Sequence, residues 1–225
     1  MNAGVIGLVE GDFQAVDSFS DTVVEGDREL TRTLDVGRVF SLPSGDIAFE
    51  GRAAVERTAE RATAELDYGE VRLRETNETE TRVTGFVGVP GEFVVTESGA
   101  GRFAFDLIAR DTGTDVERAT FDLDGFLDAH ADADVWKAGF SGADGSAESG
   151  LFHGSDLLAD DDLAHLVRRG DLNQLGLEYG YDEDDLKMTA AKSGYVEVYR
   201  PAAFDSADFL AYLLDEVVPH LERSD

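Results

Sequence analysis

Residues 70–96 read EVRLRETNETETRVTGFVGVPGEFVVT. Within Glu70–Glu75, Val71 and Leu73 alternate with Arg72 and Arg74, the period-two pattern of a strand. Arg82–Val89 and Glu92–Thr96 are rich in Val, Thr and Phe, and only Pro90-Gly91 separates them. A link that short joins antiparallel neighbours, because a parallel crossover needs a dozen residues or more. The stretch predicts antiparallel sheet.

Working downstream, Arg102–Ala109 and Val116–Phe121 continue as strands, divided by Ser98–Gly101 and Asp111–Gly113. Asp124–His130 reads as a brief helix. Val135–Phe140 and Gly150–His153 bracket a loop of Gly, Ser, Ala and acids, Ser141–Ser149. Asp160–Arg169 is a helix with acids first, Arg168 and Arg169 last and Gly170 after it, an order that suits the helix dipole and a glycine cap. Leu172–Tyr181, Leu186–Lys192 and Tyr195–Tyr199 form a meander. A final helix is predicted over Ser206–Glu222, where Leu210, Leu213, Leu214, Val217, Val218 and Leu221 make one apolar stripe.

Upstream, Ala3–Val9, Val36–Leu42 and Asp46–Phe49 read as strands. The 4-3-4 spacing of Val55, Ala59, Ala62 and Leu66 predicts a helix from Gly51 to Leu66, with Arg52/Glu56 and Arg61/Glu65 as i,i+4 pairs. Together these elements give an α+β fold, mostly antiparallel sheet with about four helices, the amphipathic C-terminal one packed on the sheet. A boundary near 123–133 would divide the chain into halves 1–125 and 126–225, with a single domain as the competing arrangement.

The chain has 225 residues, 48 acids against 19 bases, a formal charge of −29 and a pI near 4.2. Hydrophobic residues make up 42%, enough for a core. Sixteen of the bases are Arg and three are Lys, while Asp supplies 28 of the acids. Short hydrated carboxylates stay soluble in molar salt, whereas aliphatic lysine stems add apolar surface that salt drives together. This composition predicts a hypersaline cytosol. No apolar run approaches the ~20 residues of a bilayer span, and Met1–Gly11 lacks a basic signal region, so a cytoplasmic protein with no membrane partner is expected. Zero cysteines exclude disulfides and thiol chemistry.

Phosphate-loop and dinucleotide motifs are absent, and no cofactor is implied. The elbow-like Gly139-Phe140-Ser141-Gly142-Ala143 lacks its second glycine, and His153-Gly154-Ser155-Asp156 places three triad residue types too close together for a triad. The window Asp122, Asp124, Asp128, His130, Asp132, Asp134 is the best metal candidate. As a calcium loop from Thr120 it fails at both anchors, with Thr120 first and Ala131 twelfth. In a chain this acidic, solvated surface explains it at least as well.

The three retained lysines carry the main expectation. Lys137 adjoins Trp136, the single tryptophan; Lys187 and Lys192 lie in the C-terminal meander with Tyr195, Tyr199 and Arg200. A basic and aromatic sheet face would hold single-stranded nucleic acid or a planar anionic ligand. Edge protection and half-buried packing explain the same residues without a ligand. Strand parity sets the condition: Trp136 and Lys137 point to opposite faces, so at most one joins a given sheet-face site, and Lys187 and Lys192 also differ in parity unless a bulge or turn intervenes. The sequence thus favours a non-catalytic binding or interaction module, with a protein or single-stranded nucleic acid as partner. The alternatives are a metal-dependent hydrolase or nuclease built on 122–134, and a structural subunit whose sheet extends across a homodimer.

Overall fold

A computed structural model describes residues 1–142 and 148–223. The chain begins with strands β1 (Ala3–Glu10), β2 (Phe19–Glu25), β3 (Arg28–Ser41), β4 (Ile47–Asp67), β5 (Glu70–Val89) and β6 (Phe93–Thr96). Helix α1 (Phe103–Thr112), β7 (Asp115–Phe121) and α2 (Leu123–Ala129) follow, then β8 (Asp134–Ser141), β9 (Ser149–His153) and α3 (Asp161–Arg169). The chain closes with β10 (Asp171–Tyr181), β11 (Asp184–Ala191), β12 (Tyr195–Arg200), α4 (Ser206–Tyr212) and β13 (Leu221–Arg223). The fold is α+β: a 13-stranded antiparallel sheet in the order β2-β3-β4-β5-β6-β1-β12-β11-β10-β8-β9, with β7 joining β1 and β13. No helix among the described residues is long and apolar enough to cross a membrane.

Strand β1 is the centre. Its sequence AGVIGLVE is apolar on both faces, as a strand covered on both sides requires. One edge pairs with β6 through Val5–Leu8; the other pairs with β12 through Ala3–Val5 and then with β7 through Gly7–Glu10, so the sheet forks there. Two cores lie on opposite faces. Ile6, Val95, Phe126, Leu175, Val196, Phe209 and Leu213 belong to one, roofed by α2, α3 and α4. Val9, Phe49, Phe86, Phe105 and Ile108 belong to the other, roofed by α1. The 125/126 line falls inside α2.

Two elements are exchanged relative to the sequence expectation. The predicted helix 51–66 is strand: β4 pairs residue for residue with β5 from Phe49↔Gly88 to Asp67↔Glu70. Its 4-3-4 apolar spacing involves small alanines, and β5, with its Val and Thr, offers a continuous ladder that overrides helix propensity. Tyr68 and Gly69 turn the corner with φ of 44° and 90°, the two positive values a tight two-residue hairpin needs. Conversely, Arg102–Ala109 is helical. Ala104, Phe105, Leu107 and Ile108 are the buried residues, a helical stripe that also contains a misleading alternation. Gly113, at φ 69°, is the left-handed cap of α1, its N–H bonded to Ala109.

The final helix is shorter than predicted. After Tyr212 the backbone passes through a π turn, Leu213–Val217, and a 3-10 turn, Val218–His220, into β13. Pro219, which has no N–H to donate, ends the ladder inside the apolar stripe. Residues 143–147 of the expected loop, including Ala143 of the elbow-like motif, lie outside the described residues.

Candidate functional site

Helices α2–α4 roof one face of the β9-β8-β10-β11-β12 sheet, and the opposite face carries the lysine–aromatic group. Two bulges assemble it. Gly176 faces Lys137 while Leu177 faces Val135, so Trp136 is the extra residue and shares Lys137's side of the sheet. Likewise Lys187 faces Arg200 and Met188 faces Val198, so Tyr199 is extra and sits beside Arg200. The sequence expectation that Trp136 and Lys137 point to opposite faces is therefore overturned: the β8 bulge, which no periodicity reveals, brings both to one side.

Trp136 is half-buried at the centre. Its indole Nε1 donates to the carbonyls of Leu177 at 3.2 Å and Met188 at 3.1 Å. The ring lies over Gly176, where a Cβ would stand 2.7 Å from ring atom Cε2, so the glycine is a steric requirement. The Lys187 ammonium sits 4.7 Å from the ring centroid. Tyr199 meets the ring edge-on at 5.7 Å and His153, from β9, approaches at 6.2 Å.

Two carboxylates organise the rim. Glu178 accepts from Lys187 at 3.0 Å and from Arg200 at 2.9 Å. The hydrogen bond from Lys187, despite some desolvation, holds the Glu178 carboxyl below its usual range. Glu197 accepts from the hydroxyls of both Tyr195 and Tyr199 at 3.0 Å. Burial first, then the bonded carboxylate, pushes both phenols up to about 12. Lys137 reaches Thr189 Oγ1 at 3.4 Å.

Six of the seven sequence-predicted residues therefore share this face: Trp136, Lys137, Lys187, Tyr195, Tyr199 and Arg200. Lys192 does not. It stands in the β11–β12 turn and pairs with Asp171 at 2.6 Å, a hydrogen bond that raises its pKa. Asp122 and Asp124, on the α2 side, add to that shift. Sequence reasoning missed Gly176, Glu178, Thr189, Glu197 and His153. The first four lie at i,i+2 positions along the meander, so strand alternation could have found them.

Two members of the 122–134 window, Asp122 and His130, have local partners. Asp122 caps α2 by accepting from Gly125 N at 2.9 Å. His130 contacts the Phe126 carbonyl at 2.8 Å and Glu216 at 2.9 Å. Among the described residues, no group of three or more His, Asp or Glu is arranged to hold a metal ion. A shallow trough of about 690 Å³ lies between Met1, Asp35, Glu50, Arg52, Glu97 and Ser206. Several of its charged groups are already engaged, Glu50 with Arg38 at 2.7 Å and the Met1 ammonium with Ser206 at 2.8 Å. No protein-family model, curated protein or solved structure matches the chain.

Proposed function

We propose that the protein is a non-catalytic binding module of a hypersaline cytosol, whose open C-terminal sheet face takes a small planar anion. The observation that carries this reading is Trp136, seated on Gly176 with Lys187 over its ring, Lys137 next to it, and Arg200 sharing the Glu178 carboxylate with Lys187. A planar group would displace the Lys187 ammonium from the indole and stack there. Its negative charge would then compete with Glu178 for Lys187 and Arg200. In molar salt long-range attraction is screened, so stacking and short hydrogen bonds must supply the affinity. A small ligand is favoured over a polymer because Glu178 and Glu197 lie within the cluster and exposed Asp134 and Asp185 border it.

Trp136 is the only tryptophan, so its fluorescence reports the site directly. Titration with a mononucleotide in ~3 M KCl should give saturable quenching. By calorimetry, Trp136→Ala should weaken binding roughly 5- to 150-fold, the equivalent of about 1–3 kcal/mol for one stacked base. Lys137→Ala should cost less, reversing the order expected of a phosphate-gripping surface. Quenching by an oligonucleotide but not by the mononucleotide would transfer the reading to single-stranded nucleic acid. No response to either removes it.

A further inference from the structure

Beyond the body of the sheet, β4 and β5 continue as a two-stranded arm to the turn at Tyr68-Gly69. Strand β6 covers β5 only at Phe86–Val89, so among the described residues the outer edge of β5 from Glu70 to Thr84 has no strand beside it. The Gly85 carbonyl accepts from Glu97 N on that outer side at 3.4 Å. With an unbroken β4–β5 register, the N–H and C=O groups of the odd residues 71–83 therefore point outward.

The five arginines of the arm, Arg57, Arg61, Arg72, Arg74 and Arg82, lie on one face, interleaved with glutamates. Within the chain they make exposed pairs such as Arg74–Glu65 at 3.4 Å and Arg61–Glu78 at 3.5 Å. Along β5 that face reads Glu70, Arg72, Arg74, Thr76, Glu78, Glu80, Arg82. About Thr76 the charges are antisymmetric: each residue and its mirror position carry opposite signs.

We infer that this edge pairs with the same edge of a second copy, antiparallel, across a two-fold axis at Thr76. The pairing places Glu70 opposite Arg82 of the second copy, Arg72 opposite Glu80 and Arg74 opposite Glu78, each occurring twice. Outward-pointing residues must face outward-pointing residues, so the register moves only in steps that keep odd opposite odd. Shifting one such step brings Glu70 against Glu80, and the other brings Arg72 against Arg82. The Thr76 register opposes no like charges. It lets the odd residues 71–81 exchange about twelve backbone hydrogen bonds. It also sets the exposed side chains of Val71 and Leu73, 66% and 73% accessible, beside Thr81 and Thr79 of the second copy. Arg28 donates to one outward carbonyl, Asn77, at 2.6 Å and to Thr79 Oγ1 at 3.5 Å, so pairing requires this exposed guanidinium to share the Asn77 oxygen with the strand or swing aside. A generic partner would not need the palindrome; a second copy does.

Sedimentation velocity in ~3 M KCl, over roughly 1–100 µM, should show a species of twice 24.3 kDa. Arg74→Glu sets glutamates opposite one another at both ends and should weaken association at least tenfold. Arg74→Glu/Glu78→Arg should restore it, although it worsens the pairs with Glu65 and Arg61 inside the chain. The chain has no cysteine, so Thr76→Cys gives a clean geometric test. Two copies of residue 76 would sit about 4.5 Å apart at Cα, within disulfide range, and should cross-link on oxidation. Thr79→Cys, displaced roughly 20 Å from its own copy, should not. A monomer throughout, a dimer indifferent to Arg74→Glu, or equal cross-linking at 76 and 79 would overturn the inference.

Discussion

Glu197 holds two tyrosine hydroxyls at once, and the consequence is a pH signature. Tyr195 and Tyr199 keep their protons in the folded state up to about 12, against an ordinary 10.0. A raised pKa favours the neutral form, so their contribution to stability is complete below pH 10 and is lost as pH rises from there through about 12. Replacing Glu197 with Gln removes the charge that opposes phenolate formation. The phenolate absorbance of the variant should rise at lower pH than that of the parent, and the difference curve isolates these two rings. Superimposable curves would contradict the shared hydrogen bonds. At this scale the site was legible as residue types, because Lys137, Lys187 and Lys192 stand out in a chain that otherwise uses Arg. Its geometry was not. The shared face of Trp136 and Lys137 depends on an extra residue in β8, and the exclusion of Lys192 depends on a turn.

Among the elements, α4 and its continuation carry the clearest energetic statement. Phe209, Leu210, Tyr212, Leu213 and Val217 are each 0% exposed, and Asp205 and Asp208 close a reciprocal cap at the start of the helix. Burying each aliphatic or phenylalanine side chain contributes about 1.5–3 kcal/mol, so the segment rivals the ~5–15 kcal/mol by which a domain is stable. Deleting 206–225 should give an insoluble or molten product without near-UV circular dichroism. A soluble, cooperatively melting truncation would show the segment to be dispensable. The apolar stripe was readable because it is dense; the stripe runs on past Pro219 to Leu221, so hydrophobic spacing alone does not mark the break. The exchange of β4 and α1 has a different cause. Alanine and arginine fit either state, and what decides is the strand lying alongside, which for β4 is the hairpin partner and for α1 is absent.

For the whole molecule, charge dominates. Lowering KCl from ~3 M to ~0.1 M lengthens the Debye length from under 3 Å to about 10 Å, so carboxylates across a −29 surface begin to repel. The melting temperature should fall and the transition should broaden; equal melting in both salts would remove the hypersaline reading. The antiparallel α+β class was legible from turn lengths alone, because short links constrain neighbours. Strand order was not, because the pairs that close the sheet are remote in sequence: Val5 lies opposite both Thr96 and Tyr195. That central position has a consequence during synthesis. On the ribosome β1 leaves the exit tunnel some 190 residues ahead of its β12 neighbour. At about 5–20 residues per second that is roughly ten to forty seconds. Through that interval the nascent chain carries a strand that is apolar on both faces and lacks its permanent neighbour, so native closure of the sheet must wait for translation to reach β12.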